Sequence, residues 1–128
     1  MAESERAAGR EREELLPENS ILSLEEYLAM QRSIGNETRF RIVDTLVGDG
    51  PQSASELRER LEVRSNTLHY HLEELIEVGL VENRKRKSPD RDGLYSYYRA
   101  TSLGEGILSE GVRKLMAREW DALETYGR

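Results

Sequence analysis

The stretch SASELRERLEVRSNTLHYHLEELIEVGLVENRK, residues 53–85, decides the fold of this chain. It opens on Ser53 with Glu56 three residues later, a capping box in which hydroxyl and carboxylate satisfy the free amides of a helix's first turn. Ala54, Leu57 and Leu61 then recur at helical spacing and predict a short helix with one apolar face. Only Glu62, Val63 and Arg64 separate it from a second periodic run, which starts near Ser65. On that run Leu68, Leu72, Leu75 and Ile76 face inward, and Gly79 is a natural residue just past the helix end. A gap of three or four residues between two short helices is the helix-turn-helix spacing. Beyond it, LVENRKR (80–86) and LYSYYRA (94–100) carry strand formers on either side of KSPDRDG (87–93). Pro89, Asp90, Asp92 and Gly93 are turn residues, so a β-hairpin with a basic tip is expected.

Upstream, Ser23 and Glu26 form another capping box, and Leu24, Tyr27, Leu28, Gln31 and Ile34 share one face of the helix it starts. Gly35 and Asn36 end that helix and begin the next, on which Phe40, Val43, Leu46 and Val47 line one face. Gly48, Asp49, Gly50 and Pro51 stop it. Residues 1–19 are polar and charged without apolar period, which predicts a mobile tail or frayed helix. Downstream of Thr101 a long helix is expected almost to the end. Leu108, Val112, Leu115, Met116, Trp120, Leu123 and Tyr126 fall within one broad arc of it. Glu119 lies in the same arc, which a simple core face would not choose. The expected fold is mainly α with a small antiparallel β-hairpin (α+β), a winged helix-turn-helix. Its regions are a tail at 1–19, the winged domain at 20–102 and a C-terminal dimerisation helix at 103–128.

Composition bounds the chemistry. With 128 residues, 37% hydrophobic and 34% charged, the chain suffices for one compact domain and not comfortably for two. It has no cysteine, which excludes disulfides, thiol redox chemistry and cysteine-based metal sites. No apolar run approaches the ~20 residues of a membrane span, and the N-terminus lacks an apolar signal core, so the cytoplasm is the expected compartment. The net charge is −6, but its sign is uneven along the chain. Residues 84–91, RKRKSPDR, hold five basic side chains and one acid, whereas acids crowd residues 3–26 and the helical flanks. The chain carries 16 Arg and only 3 Lys. Acid-rich, lysine-poor composition fits a very salty cytoplasm, and a GC-rich genome would also favour arginine.

The histidines, His69 and His71, invite a metal reading. Residues i and i+2 point about 200° apart on a helix, so the two cannot chelate one ion together. Asp121, Glu124 and Glu119 could ligate a hard cation, but a charged helix face explains them with less effort. LGEGILSEG (103–111) lacks the strand-to-helix context of a phosphate loop. No metal, no cofactor and no enzymatic activity are expected.

A helix fits the major groove and presents its first turns to base edges. At helical spacing Asn66, His69, Tyr70 and Glu73 share one exposed face, opposite the leucines. Asn66 can pair bidentately with adenine, and His69 and Tyr70 can donate to bases or phosphates. Glu73 dissents: it either points away from phosphate or accepts from a cytosine amino group. Arg64, Ser65 and Thr67 sit at the helix N-terminus, which favours a phosphate. Arg84, Lys85, Arg86, Lys87 and Arg91 on the hairpin are placed to straddle backbone or minor groove. His71 falls between the core and DNA faces and is read as a structural, hydrogen-bonded residue. Tyr95, Tyr97 and Tyr98 are read as strand packing, and Arg39 and Arg41 as solvated helix charges.

Three segments together resemble the ArsR-type regulators: GNETRFRIVDTL (35–46), SASELRERLEVRSNTLHYHLEELIEVGLVENRK (53–85) and DGLYSYYRAT (92–101). The resemblance covers about residues 23–105. The long terminal helix is also similar to that of PadR-like relatives, including the RosR-type regulators of salt-adapted archaea. The resemblance implies a homodimeric transcriptional regulator on double-stranded DNA, its recognition helices (65–78) in major grooves ~34 Å apart. Leu24, Tyr27, Leu28, Leu108, Val112, Leu115, Met116, Glu119, Trp120 and Leu123 are the expected dimer interface. Stress responsiveness is implied with the RosR likeness, and no small-molecule effector or pocket is legible. A winged-helix adaptor without DNA affinity is the alternative, motivated by the net acidity.

Overall fold

The computed structural model describes residues 11–87 and 93–125. A 3-10 turn at Arg12–Leu15 lies inside the stretch expected to be tail. It leads into α1 (Leu24–Ile34), α2 (Glu37–Asp49), α3 (Ala54–Leu61) and α4 (Ser65–Glu77), then β1 (Val81–Lys87) and β2 (Leu94–Ala100), and finally α5 (Ser102–Glu110) and α6 (Val112–Thr125). Both capping boxes form: Ser23 with Glu26 starts α1, and Ser53 with Glu56 starts α3. Asn36 caps α2 by accepting from the Arg39 amide at 3.0 Å. This is the mainly helical winged helix-turn-helix expected, its strands antiparallel with Val81 opposite Ala100 and Lys87 opposite Leu94.

The core lies where α2, α3, α4, α5 and the hairpin base converge. Ile42, Val43, Leu57, Leu68, Leu72, Leu75, Leu80, Val81 and Leu108 are fully buried there. Removing each leucine from water stabilises the fold by about 1.5–3 kcal/mol, so the three on α4 alone bind that helix firmly to the body. Several expected faces turn out rotated. On α1 the buried stripe is Met30, Ser33 and Ile34, while Leu28 and Gln31 face solvent. On α2, Ile42 is in the core and Phe40 only half-buried. On α4, Ile76 is exposed. The cause is geometric: α1 and α2 lie across other elements, and contact selects the stripe that faces the neighbour rather than the most apolar arc. Gln52 adds a backbone bridge to the hairpin, its amide and carbonyl paired with those of Tyr98 at 3.0 and 2.7 Å.

Two features join α4 to the hairpin and to α5. Leu80 N–H bonds Leu75 O at 2.9 Å and Gly79 N–H bonds Ile76 O at 3.0 Å, a Schellman close that requires Gly79 at φ 85°. Thr101 then donates its hydroxyl to Gly79 O at 2.6 Å and its amide to Leu80 O at 3.1 Å, and its Oγ1 accepts from the Gly104 amide. Here α5 crosses so tightly that a Cβ on Gly104 would sit 2.2 Å from the Leu80 carbonyl oxygen.

The single terminal helix expected from the sequence is instead two. α5 ends at Glu110 and α6 restarts at Val112. A Cβ on Gly111 would stand 2.5 Å from Ile107 O, so glycine permits the approach that bends the chain there. The break divides the apolar arc. Leu108 belongs to the protomer's own core, and its assignment to a dimer interface is corrected: no surface of it remains for a partner. α6 is held to α2 by an ion pair between Arg113 and Asp44. Its Val112, Leu115, Met116, Trp120 and Leu123 are exposed.

Gly104→Ala is expected to lower the unfolding free energy by about 2 kcal/mol or more, because backbone must move to admit a methyl group. Gly106→Ala, with nothing near its added methyl, should be neutral or stabilising by up to about 1 kcal/mol through helix propensity. Urea denaturation of both checks the contrast; equal stabilities would contradict the tight crossing.

Candidate nucleic-acid interface

α4 presents one wholly buried and one wholly exposed face. Opposite Leu68, Leu72 and Leu75, the side chains of Asn66, His69, Tyr70 and Glu73 are exposed, as are Arg64, Ser65 and Thr67 at its start. No side chain caps this helix from position Arg64, and its first turn holds no acid. The positive end of the helix dipole therefore meets no carboxylate of its own first turn, which suits an anion. Asn66 is folded back, its Oδ1 accepting from the Thr67 amide at 2.9 Å. It must leave that contact to reach a base. Glu73, ambiguous in the sequence, lies near enough to β2 for its charge to act on the Tyr98 hydroxyl. Burial foremost, with Glu73 adding and a hydrogen bond with Ser96 opposing, raises the Tyr98 pKa.

His71 is buried on α4 between those faces. Its Nδ1 lies 2.9 Å from Arg39 Nη1. A guanidinium can only donate, so Nδ1 is the acceptor and the neutral ring carries its proton on Nε2. Arg39 Nε in turn donates to Ser33 O at 2.8 Å, in the last turn of α1. Arg39 is thus a structural clamp joining α1, α2 and α4 rather than the solvated charge expected. Arg41 is solvent-facing, 3.9 Å from Glu37. The expected structural role of His71 agrees with this geometry. His69 faces the opposite way, into solvent.

On the hairpin, alternation splits the basic residues between two faces. Glu82, Arg84 and Arg86 of β1 share one face with Arg99, Tyr97 and Tyr95 of β2, their cross-strand partners. Lys85 and Lys87 stand on the other, beyond Tyr98, which is buried against the core. Arg86 stacks over the Tyr97 ring, 5.1 Å from its centroid, and Tyr97 lies 6.2 Å from Tyr95. Glu82 accepts from Arg84 at 3.2 Å and pairs with Arg99 across the strands. Desolvation pushes the Glu82 carboxyl up, but the hydrogen bonds from Arg84 and Arg99 outweigh it and hold the carboxyl below its ordinary range. Arg99 escapes the sequence reading; only the strand register, which sets it opposite Glu82, reveals it. Arg91 lies outside the described residues.

Of the expected dimer residues, Leu24 and Tyr27 are half-buried in the protomer and Leu28 is exposed. The Tyr27 hydroxyl is 3.3 Å from Ser20 Oγ. Glu119 and Trp120 on α6 are both exposed. A groove of about 670 Å³ opens between α1, Arg39, the last turn of α4 and Leu103, with Met30, Glu74 and Glu77 in its walls. No sequence feature announces it. Among the described residues no helix is long and apolar enough to cross a membrane.

This arrangement of helices and hairpin is a winged helix-turn-helix domain, and residues 34–84 match the family model described as a helix-turn-helix domain. No curated protein matches the chain. Among solved structures it is similar to HlyU from Vibrio cholerae, at 26% identity and TM-score 0.55, covering 70% of this chain and 90% of that one. An ArsR-like transcriptional regulator from Rhodococcus sp. is 27% identical, with TM-score 0.52 and coverage of 80% and 93%. A third structure, from Mycobacterium bovis, shares 21% identity with TM-score 0.59 over 82% and 88%, and speaks to the fold alone. It is described as a homodimeric winged helix-turn-helix DNA-binding domain of a possible ArsR-family regulator.

The neutral state of His71 has a consequence for stability. Loss of water around the ring, and then the charge of Arg39, lower its pKa against the smaller opposing pull of Glu74. The folded chain therefore binds this proton less readily than the unfolded one. The contribution of His71 is full above the ordinary value of 6.5 and is lost as pH falls through the lowered folded value. Urea unfolding from about pH 8 to about pH 5 is expected to show a larger loss for the wild type than for His71→Gln, whose amide oxygen can still accept from Arg39. Parallel curves would count against the clamp.

Proposed function

We propose that this protein is a homodimeric, sequence-specific transcriptional regulator of double-stranded DNA, related to the ArsR-type regulators. The observation that carries the reading is the exposed, acid-free N-terminal turn of α4 on a helix whose opposite face is sealed into the core. Asn66, His69 and Tyr70 would meet base edges in the major groove, and Arg64, Ser65 and Thr67 the flanking phosphates. The wing residues Arg84, Lys85, Arg86 and Lys87, with Arg91, would add sequence-independent affinity for backbone or minor groove. The similarity to an ArsR-like transcriptional regulator supports the same reading. No metal, cofactor or catalysis is invoked. The acidic, lysine-poor composition supports a salt-adapted setting, with the RosR-type regulators as the implied subgroup and a stress response as the implied trigger.

The dimer would form chiefly through α6, whose apolar side chains Leu115, Met116 and Trp120 have no place in the protomer's core, with Leu28 of α1 alongside. Trp120 is 65% exposed, so Trp120→Glu should leave the fold intact. That variant is expected to sediment as a monomer at micromolar concentration where the wild type sediments as a dimer. A monomeric wild type in high salt would remove the dimer from the proposal.

Binding of genomic fragments across a range of salt concentrations tests the DNA reading. Joint replacement of Lys85, Arg86 and Lys87 by Gln should weaken binding about tenfold or more and flatten its salt dependence. A wild type without affinity, or a variant that binds equally well, would favour a protein–protein adaptor, the reading suggested by the net charge of −6.

A further inference from the structure

The outer face of the wing holds a carboxylate in the middle of its cations. Glu82 stands directly opposite Arg99 in the strand register, and Arg84 lies two residues on, on the same face. Both guanidinium groups reach the same oxygen, Glu82 Oε1. A carboxylate offers a guanidinium the same charge-assisted acceptors that a backbone phosphate offers. The side chains of Arg84, Arg99 and Glu82 are 52%, 48% and 31% exposed, so the pairs are within reach of an incoming anion. Arg86 is different, since a tyrosine ring and not a carboxylate receives its charge. Lys85 and Lys87 project from the other face. Among the described cations of the wing, Glu82 therefore occupies two of the three on its outer face.

We propose that Arg99 and Arg84 form a phosphate-binding pair on the outer face of the wing, and that Glu82 is a built-in competitor which phosphate must displace. The proposal rests on the reading of this domain as DNA-binding and adds to it a contact residue, Arg99, and an element that limits affinity. Displacing Glu82 breaks two surface ion pairs, each worth at most about a factor of five, and sets an unpaired carboxylate near the duplex. Competition of this kind weakens binding to any sequence and leaves sequence preference untouched, since phosphates carry no sequence information.

Binding of the full-length protein to a fluorescent, mixed-sequence DNA duplex, measured from low to high salt, tests it. Glu82→Gln is expected to bind roughly five- to twentyfold more tightly at low salt, with a steeper salt dependence and an advantage that shrinks as salt rises. Arg99→Gln alone should weaken binding and reduce the salt slope by about one. Removing any acid from a DNA-binding protein raises affinity somewhat, so coupling decides the matter. In an Arg84→Gln, Arg99→Gln background the gain from Glu82→Gln should shrink to the small increase that removal of any acid gives. A gain that persists there undiminished, or a Glu82→Gln protein that binds equally or more weakly, overturns the proposal, the latter meaning that Glu82 merely orients the two arginines. An unchanged slope for Arg99→Gln overturns it independently of whether the Glu82 variant folds, which circular dichroism monitors. A wild type that binds no duplex at any salt instead overturns the DNA reading itself.

Discussion

The carbonyl groups of Gly79 and Leu80 are the point on which the domain turns. Helix α4 must end there, because the hairpin has to leave at an angle that sets its strands beside the helix. The Schellman close performs that reversal, and only glycine meets its φ of 85° without steric cost. Leu80 and Leu75, brought together by the same turn, are both fully buried, so the backbone reversal and the core are one structure. The two carbonyls left at the turn then accept from Thr101. That residue is also the cap of α5, and α5 can lie across Leu80 because Gly104 has no side chain. One short segment thus aims the exposed helix, starts the wing and seats the helix that closes the core.

A second constraint fixes the rotation of α4 about its axis. Leucines alone would tolerate small rotations, since hydrophobic contact is non-directional. The hydrogen bond from Arg39 to His71 is directional, and Arg39 is itself anchored on the Ser33 carbonyl. Removal of Arg39 leaves the buried His71 ring, and removal of His71 the half-buried guanidinium, without its mate, a larger loss than the bond's own net worth. The exposed face of α4 inherits its orientation from a polar contact on its border. A histidine two positions from a surface histidine has the opposite job for this reason.

Much of the fold is legible in the residues, and the failures share a cause. Capping boxes at Ser23 and Ser53, the short turn at Glu62–Arg64, Gly79 and the hairpin are all local signals, and local signals survive folding unchanged. Periodicity locates the helices but misplaces their buried stripes on α1 and α2, because only the neighbouring element decides which residues of an apolar arc are covered. The break at Gly111 escapes the sequence for a related reason: a glycine inside a helical pattern is usually tolerated, and its contact with Ile107 O is visible only in three dimensions. At the candidate interface, the exposed residues of α4 follow from helical spacing. The clamp role of Arg39 and the presence of Arg99 do not, since both depend on partners distant in sequence.

The charge distribution gives the remaining logic. A chain with net charge −6 approaches a polyanion only if its acids are kept from the contact surface or neutralised at it. The start of α4 takes the first route, with no acid in its opening turn. The wing takes the second, because Glu82 lies at its base and is satisfied by two arginines. Moving outward from Glu82, the outer face passes to Tyr97, Arg86 and Tyr95, where positive charge meets aromatic rings instead of carboxylate. Among the described residues, the acid therefore sits where the hairpin joins the body, and the cations without a carboxylate partner lie further out along the strands. On the proposed DNA reading, that gradient would order the contacts: cations further out would meet a phosphate backbone without first giving up a carboxylate, whereas the base would have to release an internal partner.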